Sequence, residues 1–256
     1  MRSLIACMKK EWMEQLRAGR VMILAILFFL FGVMNPATAM LTPWLMEIMA
    51  ESLAQSGMVV TEVAVTALDS WMQFFKNIPM GLIVFVLLES SIFTREYESG
   101  TLVLALTKGL RRPTMVAAKS IVLSAFWTAG YWLCFAVTYF YTVWYWDNSV
   151  VKHLAFSCVC WWLFGMLVVS LCVLFSSFAK SNSTVLLGTG GVVVLSYVVS
   201  LLPKIQKFLP TLLMDGNSLI YGLKAPEDYA AALAVTVMLC AVCFAASIPV
   251  INRRQI

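Results

Sequence analysis

Long apolar runs separated by short charged stretches dominate this chain. Runs at about 21–41, 76–94, 116–145, 153–179, 184–202 and 229–251 are each long enough for a helix crossing a bilayer, which takes about 20 apolar residues. Strands of a membrane barrel would alternate over about 10 residues instead. The continuous runs therefore predict an all-α, polytopic membrane protein, with six transmembrane helices in a single transmembrane domain over residues 1–256.

The segments between the runs carry patterns of their own. In residues 1–20, Ile5, Met8, Trp12 and Leu16 recur at three- and four-residue steps, while Arg2, Lys9, Lys10 and Arg17 occupy other faces. This is the pattern of an amphipathic helix lying in the membrane interface. A cytoplasmic extension of the first span fits equally well, because an interfacial helix also needs a bend near Ala18-Gly19. Residues 42–75 read as an outer loop, polar in patches, in which Trp44, Leu45, Ile48 and Met49 suggest a second amphipathic helix. Residues 203–228 intersperse Pro203, Pro210, Gly216, Gly222 and Pro226 with Leu209, Leu212, Leu213, Leu219 and Ile220. Too apolar for a free loop and too interrupted for a span, they predict broken helices dipping into the outer leaflet, where protein or water must satisfy the freed backbone groups.

Composition agrees with the pattern. Of the 256 residues 61% are hydrophobic and 12% charged, against roughly 25% charged in soluble chains. The net charge of +5 encodes orientation rather than a nucleic-acid partner. With the N-terminus inside, thirteen of the eighteen Lys and Arg lie in cytoplasmic segments, and only Lys76, Lys152, Lys204, Lys207 and Lys224 lie outside. The positive-inside rule then predicts a multi-pass plasma-membrane protein with both termini cytoplasmic. Ala37-Thr38-Ala39 resembles a signal cleavage site, but the charged leader holds Glu11 and Glu14 and the following run is long enough to span, so an uncleaved first helix is expected.

Candidate chemistry is sparse. No phosphate-binding G-x-x-x-x-G-K-[ST] loop occurs, and Gly188-Thr189-Gly190-Gly191 lies in an apolar run, where helix packing is its expected role. His153 is the only histidine, with no paired ligand near it in sequence, and no G-x-S-x-G elbow exists. Neither a catalytic residue nor a metal site is expected. Six of seven cysteines fall within apolar runs, where cysteine behaves as a small hydrophobe; Cys158-Val-Cys160 and Cys240-Ala-Val-Cys243 lack accompanying His or acidic ligands.

Two features inside the runs are candidates for a role beyond packing. Glu89 lies within the second span, and an ionisable group at membrane depth is a functional candidate; its structural alternative is an inner-interface residue paired with Arg95 or a neighbouring helix. Tyr131, Phe135 and Tyr139 repeat at four-residue steps and offer an aromatic wall for an amphipathic substrate, although core packing produces the same stripe.

The richest polar stretch follows the second span: Arg95-Glu96-Tyr97-Glu98-Ser99-Gly100-Thr101-Leu102, then Thr107-Lys108-Gly109-Leu110-Arg111-Arg112-Pro113, then Ala118-Lys119. A solvated loop with ordinary inner-face charge is its plain reading. It also resembles the integral-membrane permeases of type-2 ABC (ATP-binding-cassette) exporters. These carry an acidic and basic cluster leading into Gly-Thr-Leu, a short apolar helix, a Thr-Lys turn, one or two arginines and a lysine opening the third span. Glu96, Glu98, Gly100, Thr101, Leu102, Thr107, Lys108, Arg111, Arg112 and Lys119 stand at matching places, whereas Gly109 and Ala118 depart from the usual proline and glycine.

The resemblance implies that residues 95–112 form a cytoplasmic coupling helix docking into a separate ATPase subunit. It further implies two ATPase copies carrying ATP and magnesium, a second permease copy, no cofactor in this chain, and export of a hydrophobic or amphipathic peptide, antibiotic or lipid. An ion-coupled secondary transporter, driven through groups such as Glu89, is the alternative that needs no ATPase.

Overall fold

In the computed structural model, residues 2–55, 64–92, 111–179 and 181–253 are described. Their helices are α1 (Arg2–Arg17), α2 (Arg20–Gln55), α3 (Ala67–Glu89), α4 (Arg112–Tyr145), α5 (Leu154–Phe178), α6 (Asn182–Val199), α7 (Pro203–Gln206), α8 (Gly216–Ile220) and α9 (Ala230–Arg253). Short 3-10 turns cover Ser90–Ile92, Asn148–Val150, Pro210–Met214 and Pro226–Tyr229. Six of the helical segments are long and apolar enough to cross a membrane.

The first two helices resolve the alternatives left by the leader. Helix α1 ends at Arg17, and Gly19, at φ +71°, turns the chain before α2 begins. That left-handed conformation carries no penalty for glycine. The leader is thus a separate helix. By contrast, no second amphipathic helix is separate from the first span: α2 runs without a break through Trp44, Leu45 and Ile48 to Gln55, despite Pro36 and Pro43. Pro36 has no N–H to give the carbonyl four residues earlier, that of Gly32. The hydroxyl of Thr138 in α4 donates to this carbonyl at 3.1 Å, so a neighbouring helix satisfies what the proline frees.

Helix α3 also departs from expectation, starting at Ala67 rather than near residue 76. The backbone N–H of Thr66 donates to the Asp69 carboxylate at 2.8 Å, fixing this start. Asp69, Ser70, Gln73, Lys76 and Asn77 dilute the apolar signal of its first turns, yet Trp71, Phe74 and Phe75 are buried there.

Helix α5 is the most enclosed span and α6 the most exposed. The core around α5 is aromatic. Trp71, Trp127 and Trp161 are buried, and each indole N–H donates: to Asn148 Oδ1 at 2.9 Å, to the Trp162 carbonyl at 3.1 Å and to the Met214 carbonyl at 2.8 Å. Tertiary hydrogen bonds of this kind matter because lipid offers apolar side chains no drive to associate, leaving packing and polar contacts to hold the helices.

Residues 203–229 fold as anticipated into short, broken pieces: α7, the Pro210–Met214 turn, α8 and the Pro226–Tyr229 turn. Leu212, Leu213, Leu219 and Ile220 are buried beneath the end of the bundle opposite α1. The Lys152 N–H donates to the Ile220 carbonyl at 3.1 Å, which pins this segment to the connection before α5, and Tyr229 Oη donates to the Asp215 carbonyl at 2.9 Å within it.

Candidate functional site

At the end of the bundle that carries α1, polar side chains from four helices meet. Helix α1 turns Cys7, Glu11 and Gln15, spaced four residues apart and hence on one face, into the protein. Its apolar residues Ile5, Trp12, Met13 and Leu16 stay exposed. This arrangement suits a helix at a bilayer edge, where the apolar face has lipid as its solvent and the polar face needs protein partners.

Those partners are specific. Lys119 Nζ, on α4, donates to Glu11 Oε2 at 2.8 Å and to the Ile92 carbonyl at 3.1 Å. Gln15 Nε2 donates to Glu89 Oε2 at 2.7 Å, and Arg20 donates to Ser91 Oγ at 3.0 Å. Glu11 also lies 3.1 Å from Lys10, whose ammonium reaches Glu14 at 3.4 Å. Glu11, Glu89 and Lys119 are all nearly inaccessible. Desolvating such charges costs several kcal/mol per ion, which only close pairing and hydrogen bonding offset.

The junction holds both flanks of residues 93–110. On one side Lys119 and Arg20 grip the Ser90–Ile92 turn at the end of α3. On the other, Arg111 caps α4, its carbonyl accepting from the Thr114 and Met115 N–H groups. Arg112 then donates to the Ile251 carbonyl of α9 at 3.0 Å. The remaining residues of the expected coupling helix, Arg95, Glu96, Glu98, Gly100, Thr101, Leu102, Thr107 and Lys108, lie outside the described residues. Of the predicted set, Glu89, Arg112 and Lys119 thus converge at one end of the bundle. Glu89 takes its partner from α1.

The aromatic stripe has a different placement. Tyr131 is fully buried, and its hydroxyl donates to the Cys158 carbonyl at 2.7 Å. Phe135 stacks on Tyr139 with ring centres 5.9 Å apart, and both rings pack on Trp71. Tyr131 therefore serves as core, while Tyr139 keeps an exposed edge.

Sequence reasoning passed over a second polar set, within the spans. Asn77 Nδ2 donates to Asn35 Oδ1 at 2.8 Å, Asn35 Nδ2 to Thr138 Oγ1 at 2.9 Å, and Ser70 and Thr142 meet at 2.7 Å. The string ties α2, α3 and α4 together. Its signal was present in two uncharged amides within apolar runs, but a scan for charge does not register them.

At the opposite end, Lys224 Nζ donates to Asp215 Oδ2 at 2.7 Å, and Ser218 donates to both carboxylate oxygens. Partial burial works to raise the pKa of Asp215, but the Lys224 and Ser218 hydrogen bonds outweigh it and hold the carboxyl below its usual range. His153, in the left-handed region at φ 48°, precedes α5. Among the described residues, no three His, Cys, Asp or Glu side chains gather as metal ligands, and no two cysteines form a disulfide.

Six membrane-length helices with a separate N-terminal helix packed against them define a polytopic helical membrane protein. Residues 5–203 match the family model described as ABC-2 family transporter protein, and the chain belongs to that family, the membrane component of an ABC transport system. It is also similar to the "Uncharacterized transmembrane protein YxlG" of Bacillus subtilis (strain 168). The two are 23% identical over 219 residues, which span 82% of this chain and 81% of that protein.

Proposed function

We propose that this chain is the membrane-spanning subunit of an ATP-driven exporter, which moves a hydrophobic or amphipathic peptide, antibiotic or lipid out of the cell. A separate ATPase subunit, in two copies with ATP and magnesium, supplies the energy, and a second copy of the permease completes the assembly. Residues 95–112 are the docking element. Thirteen of eighteen Lys and Arg falling in one set of connecting segments supports a cytoplasmic location for the α1 end and for both termini.

One observation carries the reading. Lys119 joins α1, through Glu11, to the Ile92 carbonyl, immediately before residues 93–110. A partner pushing on those residues would move the ends of α3 and α4 and helix α1 as one body, converting closure outside the bilayer into helix displacement within it. The permease performs no hydrolysis in this scheme.

Charge reversal at Arg111 and Arg112, or Leu104→Pro within the docking element, tests it. Co-purification of a co-expressed ABC ATPase and substrate-stimulated ATP hydrolysis should both fall, while the permease still inserts. Normal values for both would overturn the assignment.

A further inference from the structure

At the end of the bundle opposite α1, a cavity of about 330 Å³ opens between the last turn of α6 and the Pro210–Met214 turn. That size lies at the lower end of small-molecule sites, about 300–1,000 Å³. Leu201, Leu212 and Met214 supply apolar wall. Tyr197, Ser200, Gln206 and Thr211 supply polar groups, all of them uncharged. The one ionic group on the lining, Asp215, is paired with Lys224 at 2.7 Å and accepts from Ser218 as well, so it presents little unbalanced charge.

Thr211 is the telling residue. Its side chain is buried and its hydroxyl oxygen, though inaccessible, has no hydrogen-bond partner. Leaving such a group unsatisfied is unfavourable, a cost that a valine of the same shape would not incur. Ser200 Oγ donates to the Tyr197 carbonyl at 2.6 Å and retains its acceptor capacity. The cavity therefore offers both donors and acceptors without net charge, beside an apolar wall.

We infer that this cavity is a binding site for the uncharged hydroxyl or amide groups of an amphiphile, held by Thr211 and Gln206 with its apolar part on Leu201, Leu212 and Met214. The inference rests on the exporter reading in taking this ligand to be the exported molecule near its point of release. Two sources share the chemistry: a neutral sugar-headed lipid and a peptide with capped termini and no charged side chain. A carboxylate, sulfate or quaternary ammonium head has no counter-charge here, since Asp215 and Lys224 already neutralise one another.

The test uses the full chain in nanodiscs and two photoreactive probes, a diazirine-bearing alkyl glucoside and a diazirine-bearing N-acetyl leucyl peptide amide. Labelled residues are mapped by mass spectrometry. Labelling within residues 197–215 by either probe is expected; the glucoside alone identifies a lipid source, the peptide alone a peptide source, and both together the shared chemistry. Thr211→Val should reduce labelling about tenfold, the effect of one lost hydrogen bond at the upper end of its range, while Thr211→Ser retains it. Gln206→Ala, at an exposed position, provides the same test should the valine variant fail to fold. Alkyl sulfate and alkyl trimethylammonium analogues should label about tenfold less. No labelling by either probe, equal labelling of Thr211→Val, or equal labelling by the charged analogues would overturn the site. Co-purification of the ABC ATPase is scored separately: its loss would remove the exporter reading and leave the site standing, whereas absent labelling with the ATPase bound would remove only the site.

Discussion

Lys119 Nζ lies 2.8 Å from Glu11 Oε2 with both side chains almost wholly withdrawn from solvent, although 108 residues separate them in sequence. The pair fastens the N-terminal helix to the third span, and removing Lys119 leaves the buried Glu11 carboxylate to the half-exposed Lys10 ammonium. Lys119→Met should destabilise the protein, by less than the roughly 3–5 kcal/mol of a buried charge left with no partner. Cys7, on the same buried face of α1, reports the loss: its reaction with a maleimide should accelerate in Lys119→Met and return toward the parent rate in the double variant with Glu11→Gln. Unchanged reactivity in the single variant would show that α1 is held by other contacts.

Thr138 bridges two groups at once, accepting from Asn35 and donating to the Gly32 carbonyl freed by Pro36. Thr138→Val strands both. Interhelical hydrogen bonds in membranes are worth about 0.6 kcal/mol on average and up to about 1.7, so a loss of roughly 1–3 kcal/mol is expected in steric-trap or detergent unfolding. Thr138→Ser, which keeps the hydroxyl, should restore most of it.

Gly165 packs against the indole of Trp127, and a Cβ at that position would collide with the ring. Trp127 is buried and held by its bond to the Trp162 carbonyl, so it has little room to retreat. Gly165→Leu should block tight packing of α4 on α5, lowering the melting temperature and shifting tryptophan emission to longer wavelength. A parent-like emission spectrum would contradict the close approach.

The Asp215 carboxyl is held below its usual range by Lys224 and Ser218. A folded-state value below the unfolded one means that the carboxylate contributes stability above about pH 4, near the ordinary aspartate value. That contribution disappears as pH falls through the lower folded-state value. The segment around Asp215 should therefore stay closed from neutral pH to about 4 and loosen below it. Trp161, whose indole donates to the neighbouring Met214 carbonyl, gives a fluorescence readout, and Asp215→Asn should remove the acid transition. Persistence of the transition in that variant would place its origin elsewhere.

Much of this architecture was legible in the sequence, because a 20-residue apolar run has few structural outcomes in a bilayer. The six spans and the broken stretch around Pro210 and Gly216 appear where the pattern put them, apart from the early start of α3 and the unbroken length of α2. Both exceptions have the same origin. Hydropathy averages over a window, whereas Thr66 and Asp69 set a helix start with two side chains and Thr138 compensates Pro36 from another helix entirely. The junction was harder to read. Glu11 and Gln15 lie off the apolar stripe of α1, and periodicity measures the contrast between two faces without saying which solvent each one meets. Beside lipid the contrast inverts, and the acidic face turns inward to a lysine more than a hundred positions away.

That separation has a consequence for how the chain is made. When α1 leaves the ribosome its partner Lys119 does not yet exist, and at about 5–20 residues per second the intervening 108 residues take about 5–20 s to synthesise. During that interval Glu11 lacks its third-span partner and has the neighbouring Lys10 and solvent instead. The contact that fastens α1 to the third span can therefore form only after the third span has been made, well after α1 itself.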